Sequence, residues 1–393
     1  MKRLICFTGC LFSGGWYSVN YHLLLLLRTV TAAGGYEVLV YSYEEKPVLT
    51  EKDVLENTGC GELEGRVAFY QADTMSPAAW TASMPKADVI FCQHYSFAEI
   101  LRAVKLCQPQ VRIVSWIHSI VQEELLSGSI WDKNDAFPLI DQQNTQVALS
   151  DFCVFDSRYD YELGKLDFMH LGKACVIYPS TEMHARDTVC EENSFRIEDV
   201  LQTESRGKME NREKPEILFI GRRDYRKGLD SLIPCSFRMF LEHGIKTVLL
   251  TDGEGEFVFS SDATEYQFEN MVRAGGIKFE NWKLDKKAYA GFLAQKRWTA
   301  VFPSYYDPFN MAAYDCAALG IPLVVSNRCG ICEILEAGNG LAVCNPYDVK
   351  SLYEQIYEMC MLPEFSAEYR ISCKFPRFED DIRELFYETV WRD

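Results

Sequence analysis

Along the first half of the chain, short apolar runs alternate with longer stretches whose apolar residues recur at helical spacing. Arg3 to Phe7, Glu37 to Tyr41, Asp88 to Phe91, Arg112 to Trp116, Phe152 to Phe155 and Cys175 to Tyr178 read as strands. Between them, Trp16 to Ala33, Ser96 to Cys107 and Arg158 to His170 read as helices. The rhythm resumes in the second half, with strands expected at Glu216 to Ile220, Thr247 to Leu250, Ile277 to Glu280, Thr299 to Phe302, Pro322 to Val325 and Leu341 to Val343. Near-continuous apolar strands separated by helices are the pattern of parallel sheets covered on both faces. Two such runs predict two doubly wound α/β domains.

A chain of 393 residues exceeds the ~250 to 300 at which one core usually splits, which agrees with two domains. Arg186 to Lys214 is polar, charged and without period, and reads as the linker. The expected division is residues 1–185, a linker at 186–214, a second domain at 215–374 and a terminal helix at 375–393. In that last segment Phe378, Ile382, Leu385, Phe386 and Val390 follow helical spacing. A helix returning to the first domain and a plain terminal core helix both fit it. A ligand is expected in a cleft between the domains, near the carboxyl ends of the strands.

Composition narrows the partners. A net charge of −17 argues against nucleic acid and repels anions at long range, so any anionic substrate needs a local cluster of cations. Fifteen dispersed cysteines suit reduced thiols in a cytoplasmic protein better than a disulfide scaffold. Cys329-Gly-Ile-Cys332 has the spacing of half a zinc site without a second pair, and packed loop cysteines are the better reading. The apolar run Leu23 to Leu27 is far short of the ~20 residues that span a bilayer. Ser13-Gly14-Gly15 interrupts the apolar stretch after Lys2 and Arg3, which argues against a signal peptide.

Three segments carry candidate chemistry. Gly221-Arg-Arg-Asp-Tyr-Arg-Lys-Gly228 follows an expected strand and places four cations within six residues of an acidic protein. Arg222 and Lys227 are suited to a diphosphate, the first as a planar fork and the second as a point charge, each contact contributing about 1.5 to 3 kcal/mol. A solvated basic loop fits the same residues. In Tyr306-Asp-Pro-Phe-Asn-Met-Ala-Ala-Tyr-Asp-Cys-Ala-Ala-Leu-Gly320, Asp307 before Pro308 reads as an N-cap followed by a first helical position. The amides of Phe309, Asn310 and Met311 would then be open donors for a phosphate, and Asp315 would lie about 12 Å further along, at ~1.5 Å per residue. A plain cap and a solvated acid remain the alternative. Gly14 and Gly15 form a glycine turn after the first strand that suits either a ligand's approach or a tight turn. His118 follows the strand Arg112 to Trp116, at its carboxyl end, where a packed histidine and a catalytic one are both compatible. The G-x-G-x-x-G spacing of nicotinamide-binding proteins is lacking.

Gly221-Arg222, Lys227-Gly228, Asp252-Gly253, Pro303-Ser304, Asp307-Pro308-Phe309, Asp315, Gly320 and Gly330-Ile331 with Glu333 resemble the C-terminal domain of glycosyltransferase family 4. These are retaining enzymes of the GT-B fold, with two Rossmann-like domains facing across a cleft. The family spacings are G-R, four residues, K-G, and an acid with P-F-G followed by a second acid after seven intervening residues. Both occur here. Weaker similarity runs through Gly14-Gly15, Ser115 to His118, Asp151 with Ser157, and Val176 to Pro179. The resemblance implies a nucleotide diphosphate sugar as donor and a glycan or glycolipid as acceptor, without metal or other cofactor. It implies Arg222 and Lys227 on the diphosphate, Asp307 on the donor sugar, Phe309 to Met311 on the distal phosphate, Asp315 on the ribose and His118 lining the sugar pocket, with a site in the cytoplasm or at the membrane surface. Both family acids are normally Glu and the residue after Pro-Phe is normally Gly, whereas this chain has Asp307, Asp315 and Asn310. The change of both acids to Asp motivates a sugar-binding subunit without turnover as the main alternative, and a nucleotide-sugar epimerase on the same fold is a third.

Overall fold

The computed structural model describes residues 2–13, 17–43, 47–72, 84–128, 133–181, 214–251, 257, 259–281, 286–294, 296–336, 338, 340–362 and 378–386. The chain forms two compact units, the first comprising Met1–Leu125, Trp131–Ser180 and Pro376–Asp393, the second Leu126–Ile130 and Thr181–Phe375.

The first unit is built on seven parallel strands: β1 Lys2–Gly9, β2 Tyr36–Tyr43, β3 Val67–Ala72, β4 Val89–Cys92, β5 Arg112–Ile117, β6 Phe152–Phe155 and β7 Lys173–Val176, in the order β3-β2-β1-β4-β5-β6-β7. Successive residues of β1 point to opposite faces, as a pleated strand requires. Leu4 and Cys6 join one core with Val40, Phe91, Trp116 and Val154, while Ile5 and Phe7 join another with Leu39, Ile90 and Ile113. Both faces are therefore buried, which is why these strands read as apolar runs.

The helix Tyr17–Ala33 covers the first of these cores. The helix Phe378–Glu384 packs beside it: Phe378, Ile382, Leu385 and Phe386 are buried in the same core, and Glu379 accepts from Arg28 at 2.7 Å. Val390 and most of the segment expected as a linker lie outside the described residues.

The second unit has six parallel strands: β8 Glu216–Ile220, β9 Thr247–Thr251, β10 Ile277–Asn281, β11 Trp298–Phe302, β12 Leu323–Ser326 and β13 Leu341–Cys344, in the order β10-β9-β8-β11-β12-β13. Strand order reverses between β8 and β11, which are hydrogen-bonded neighbours. A crevice opens at such a reversal because the chain leaves the two strands toward opposite faces of the sheet. The loops after β8 and β11 are the basic segment 221–228 and the acidic segment 303–310.

Several elements lie outside the sequence reading, the short helices Glu51–Asn57 and Val121–Leu126 among them. β3 was not expected, and the helix Lys133–Leu149 was not either. Among the described residues no helix is long and apolar enough to cross a membrane.

Candidate active site

Gly221 closes β8 with its amide on Leu250 O at 3.1 Å, and the chain then turns through a short 3-10 helix, Tyr225–Lys227. Asp224 caps that turn with its carboxylate on the Arg226 amide, and Gly228 leaves it at φ +78° to start the helix Leu229–His243. The four cations separate by role. Arg226 is buried and bonded through Nε to Asp224 at 3.3 Å, so it holds the loop together. Arg223 lies over the Phe257 ring at 4.4 Å. Arg222 is 57% exposed and only 3.7 Å from Asp224, a weak contact. Lys227 turns inward and donates from Nζ to Asp307 Oδ2 at 2.6 Å.

The acidic loop is held as an extension of the sheet. The Asp307 amide donates to Arg328 O at 3.0 Å, Gly330 donates to Asp307 O at 3.1 Å, and Ile331 donates to Phe309 O at 2.9 Å, so β11 and β12 continue to pair past their ends. Tyr305 donates its amide to Arg226 O at 2.8 Å, tying the acidic loop to the basic one. Burial pushes the Asp307 carboxyl up, but Lys227, Arg226 and the Phe309 amide together outweigh it and hold the carboxyl below its ordinary range. Asp307 is therefore a carboxylate at neutral pH. Burial lowers the Lys227 ammonium, with Arg226 and Arg222 adding to that effect against the pull of Asp307.

The expected helix start at Asp307-Pro308 is incorrect. The helix is Met311–Ala318, and its N-cap is Asn310 at φ +72°, whose side-chain oxygen accepts from the Ala313 amide at 3.0 Å. Asp307 cannot cap it because its backbone is committed to the neighbouring strand extension and its carboxylate to Lys227. Asn310 replaces the expected glycine because asparagine tolerates the left-handed conformation better than other side chains and also caps. Its side chain faces the helix it starts, rather than crowding a phosphate. The Phe309 amide bonds to the Asp307 carboxylate, which leaves Met311 and Ala312 as first-turn amides that the cap does not take. Asn310→Gly is expected to change stability by only a few tenths of a kcal/mol, whereas Asn310→Ala, losing the cap while keeping the strained φ, is expected to cost about 2 kcal/mol. Denaturant unfolding of the two variants checks this ordering.

Asp315 lies one helix face further on and is half-buried. Thr181 donates its hydroxyl to Asp315 Oδ1 at 2.6 Å, and the Tyr289 phenol bonds to the same carboxylate. Burial and the adjacent Asp315 push the Tyr289 phenol well up, so it stays a donor.

In the first unit, His118 follows β5 at the carboxyl end of the sheet. Its Nδ1 is 3.1 Å from buried Asp156 Oδ2, its Nε2 is 3.1 Å from the Gln93 amide nitrogen, and its ring stacks on Trp116 at 5.2 Å. Asp156 also accepts from Trp116 Nε1 at 2.6 Å. Gln93, His118 and Asp156 come from the ends of the neighbouring strands β4, β5 and β6. A carboxylate on Nδ1 selects the Nδ1–H tautomer, so Nε2 is the acceptor here. Burial, with His118 beside it, lowers His94 to about 3, keeping it neutral. Gly14, Gly15, Asp252 and Gly253 lie outside the described residues. Burial raises Cys329 strongly and Cys332 to about 12, so both stay thiols.

The structure thus brings Lys227 to Asp307, keeps Arg222 at the loop surface, and places Asp315 on the helix that begins after Asn310. Thr181, Tyr289, Gln93 and Asp156 were not singled out in the sequence. Each is an ordinary residue distant along the chain from its partner, and no local pattern marks it.

Two Rossmann-like parallel-sheet units of this kind are those of the GT-B fold of glycosyltransferases. Residues 202–371 match the family described as Glycosyl transferases group 1. Sucrose-phosphate synthase from Thermosynechococcus elongatus superimposes with a TM-score of 0.67 at 15% identity, covering 99% of this chain and 96% of that one. The Anabaena Alr3699/HepE structure in complex with UDP and glucose has a TM-score of 0.61 at 13% identity, covering 98% and 95%. Glycogen synthase of Mycobacterium tuberculosis (strain CDC 1551 / Oshkosh) is 30% identical over 138 residues, 35% of this chain and 32% of that protein. O-antigen chain mannosyltransferase B of Escherichia coli is 24% identical over 141 residues, 36% and 35% of the two chains. The chain spans about a third of the length of these curated relatives.

Proposed function

We propose that this protein is a retaining glycosyltransferase, of the family 4 type, that moves a hexose-type sugar from a nucleotide diphosphate sugar to an acceptor hydroxyl of a glycan or glycolipid. The observation that carries the reading is the junction of the two switch-point loops, where Lys227 and Asp307 meet at 2.6 Å beside the exposed Arg222. A diphosphate is the ligand that a cation of this kind serves, and a sugar hydroxyl is what a buried carboxylate accepts from.

As the bond from sugar to diphosphate breaks, negative charge grows on the departing phosphate. Lys227 stabilises that charge from a fixed position, where electrostatic catalysis acts most strongly, and Arg222 joins it from the loop surface. The Met311 and Ala312 amides at the start of their helix add donors for the phosphate. Asp307 accepts from the donor sugar's hydroxyls, which orients the sugar, and Asp315 accepts from the ribose. The proton of the acceptor hydroxyl passes to the leaving phosphate on the same face, so the configuration at the sugar carbon is kept without an enzyme nucleophile. The proposed reaction requires no metal or other cofactor; His118, fixed by Asp156, is the first unit's candidate for a sugar contact. The proposed setting is the cytoplasm, with acceptors reached there or at the membrane surface.

Thermal stability measured against UDP, GDP, ADP and TDP and their sugars tests the reading. A rise with one nucleotide, and hydrolysis or transfer of its sugar that is lost in Arg222→Ala and Asp307→Ala, is the expected result. Binding without any turnover would favour a sugar-binding subunit, and isomerised donor without acceptor an epimerase. No response to any nucleotide by a folded chain would overturn the proposal.

A further inference from the structure

The acid on the helix Met311–Ala318 is shorter than the glutamate of the family pattern, yet it is not loosely placed. Thr181 and Tyr289 reach Asp315 from two other parts of the second unit. Thr181 sits 134 residues away in sequence and donates to Oδ1 at 2.6 Å. Tyr289 belongs to the helix Lys286–Ala294, which packs against the end of the Asp315 helix through Ala290 and Ala318, with Tyr289 and Leu319 beside them. Its phenol bonds to the same carboxylate.

Two hydroxyl donors from separate elements over-determine a carboxylate's rotamer, which a single hydrogen bond does not. A carboxylate accepts about four hydrogen bonds. A diol recognised by a carboxylate needs that group fixed to within about 0.5 Å, and a short side chain cannot adjust along its length as glutamate can.

We infer that Thr181 and Tyr289 are positioning residues that fix Asp315 for the vicinal hydroxyls of a nucleotide's ribose, and so set the discrimination between ribo- and 2′-deoxyribonucleoside diphosphates. The inference rests on the donor reading above and deepens it at the nucleoside end. Because both residues act through Asp315, their loss weakens recognition of the 2′-hydroxyl without touching the diphosphate contacts of Arg222 and Lys227.

The test is titration calorimetry with the full chain and its Thr181→Val, Tyr289→Phe and doubly substituted variants. UDP, GDP and ADP are used first, and the tightest is compared with its 2′-deoxy counterpart. The wild-type chain is expected to prefer the ribo form by about tenfold or more, the scale of one hydrogen bond to a charged group. In the double variant the preference should fall to about threefold or less, through loss of ribo affinity, with the deoxy form's affinity nearly unchanged. Thermal unfolding confirms that each variant folds, and Thr181→Ser, which keeps the hydroxyl, should retain the wild-type ratio. A wild-type ratio preserved in the folded double variant overturns the inference, as does equal binding of ribo and deoxy forms by the wild-type chain; either result leaves the donor reading standing. Binding of TDP alone, itself a 2′-deoxy nucleotide, overturns the inference and leaves the donor reading standing, whereas failure of the folded wild-type chain to bind any of UDP, GDP, ADP and TDP removes both.

Discussion

Lys227→Ala is expected to lower turnover by about a hundredfold or more, the scale of removing one preorganised group from a developing oxyanion. The structure adds a second effect that the sequence did not announce. Lys227 is the partner of Asp307, whose side chain is 6% exposed, so truncation leaves a buried carboxylate with only Arg226 and the Phe309 amide to offset its charge. Breaking a buried pair from one side costs about 3 to 5 kcal/mol, and stability should fall with rate. The two effects separate in Lys227→Met combined with Asp307→Asn, which removes both charges and keeps the volumes similar. Denaturant unfolding should show much of the stability restored, because neither partner is stranded, while turnover stays low. Turnover near the wild-type value in Lys227→Ala would make the pair a structural tie and remove Lys227 from the reaction.

That double role explains why the site was only half legible. The spacing of Arg222, Lys227, Asp307 and Asp315 marks the candidate segments because each lies on one short stretch of chain. Their pairing was not legible, since Lys227 and Asp307 are 80 residues apart and meet only where β8 and β11 become neighbours. The helix start is hidden from the sequence for a related reason. Asp-Pro is a sound local signal, but the strand extension from 327 to 331 takes up the Asp307 backbone, and Asn310 accepts a positive φ that no local rule demanded.

The fold shows the same division. Interior parallel strands are apolar on both faces and stand out in the sequence. β3 sits at the sheet edge, where Tyr70 is exposed, and its apolar run Val67 to Tyr70 is short and ends at Gln71. The helix Lys133–Leu149 buries polar side chains in place of an apolar stripe: Gln143 bonds to Val121 N and Ser119 O, and Gln146 donates to Cys92 O. Periodicity of apolar residues cannot find a helix that packs through amides. The C-terminal residues Phe378, Ile382, Leu385 and Phe386 were visible as a helical face, and their burial beside Trp116 and Phe91 shows what that face covers.

Gly228→Ala is expected to be strongly disruptive for a change of a single methyl group. Gly228 has φ +78°, which for an alanine costs about 1 to 2 kcal/mol on its own. The added Cβ would also stand 1.9 Å from Pro303 O and 2.6 Å from Pro303 C, both backbone atoms that cannot rotate away. Pro303 follows β11 directly and leads into Tyr305, whose amide is bonded to Arg226 O, so any retreat of Pro303 pulls on both loops at once. The combined loss should exceed about 3 kcal/mol, in the range reserved for a named steric conflict, and the displaced loops should lose the Lys227 to Asp307 contact and with it turnover. Gly275→Ala isolates the backbone part: Gly275 has φ +69° in the same unit, and its Cβ would meet nothing within 4 Å. That control should lose only about 1 to 2 kcal/mol and keep its activity. Equal losses in the two variants, measured by denaturant unfolding, would mean that Pro303 yields without cost and that the close approach of these loops does not depend on glycine.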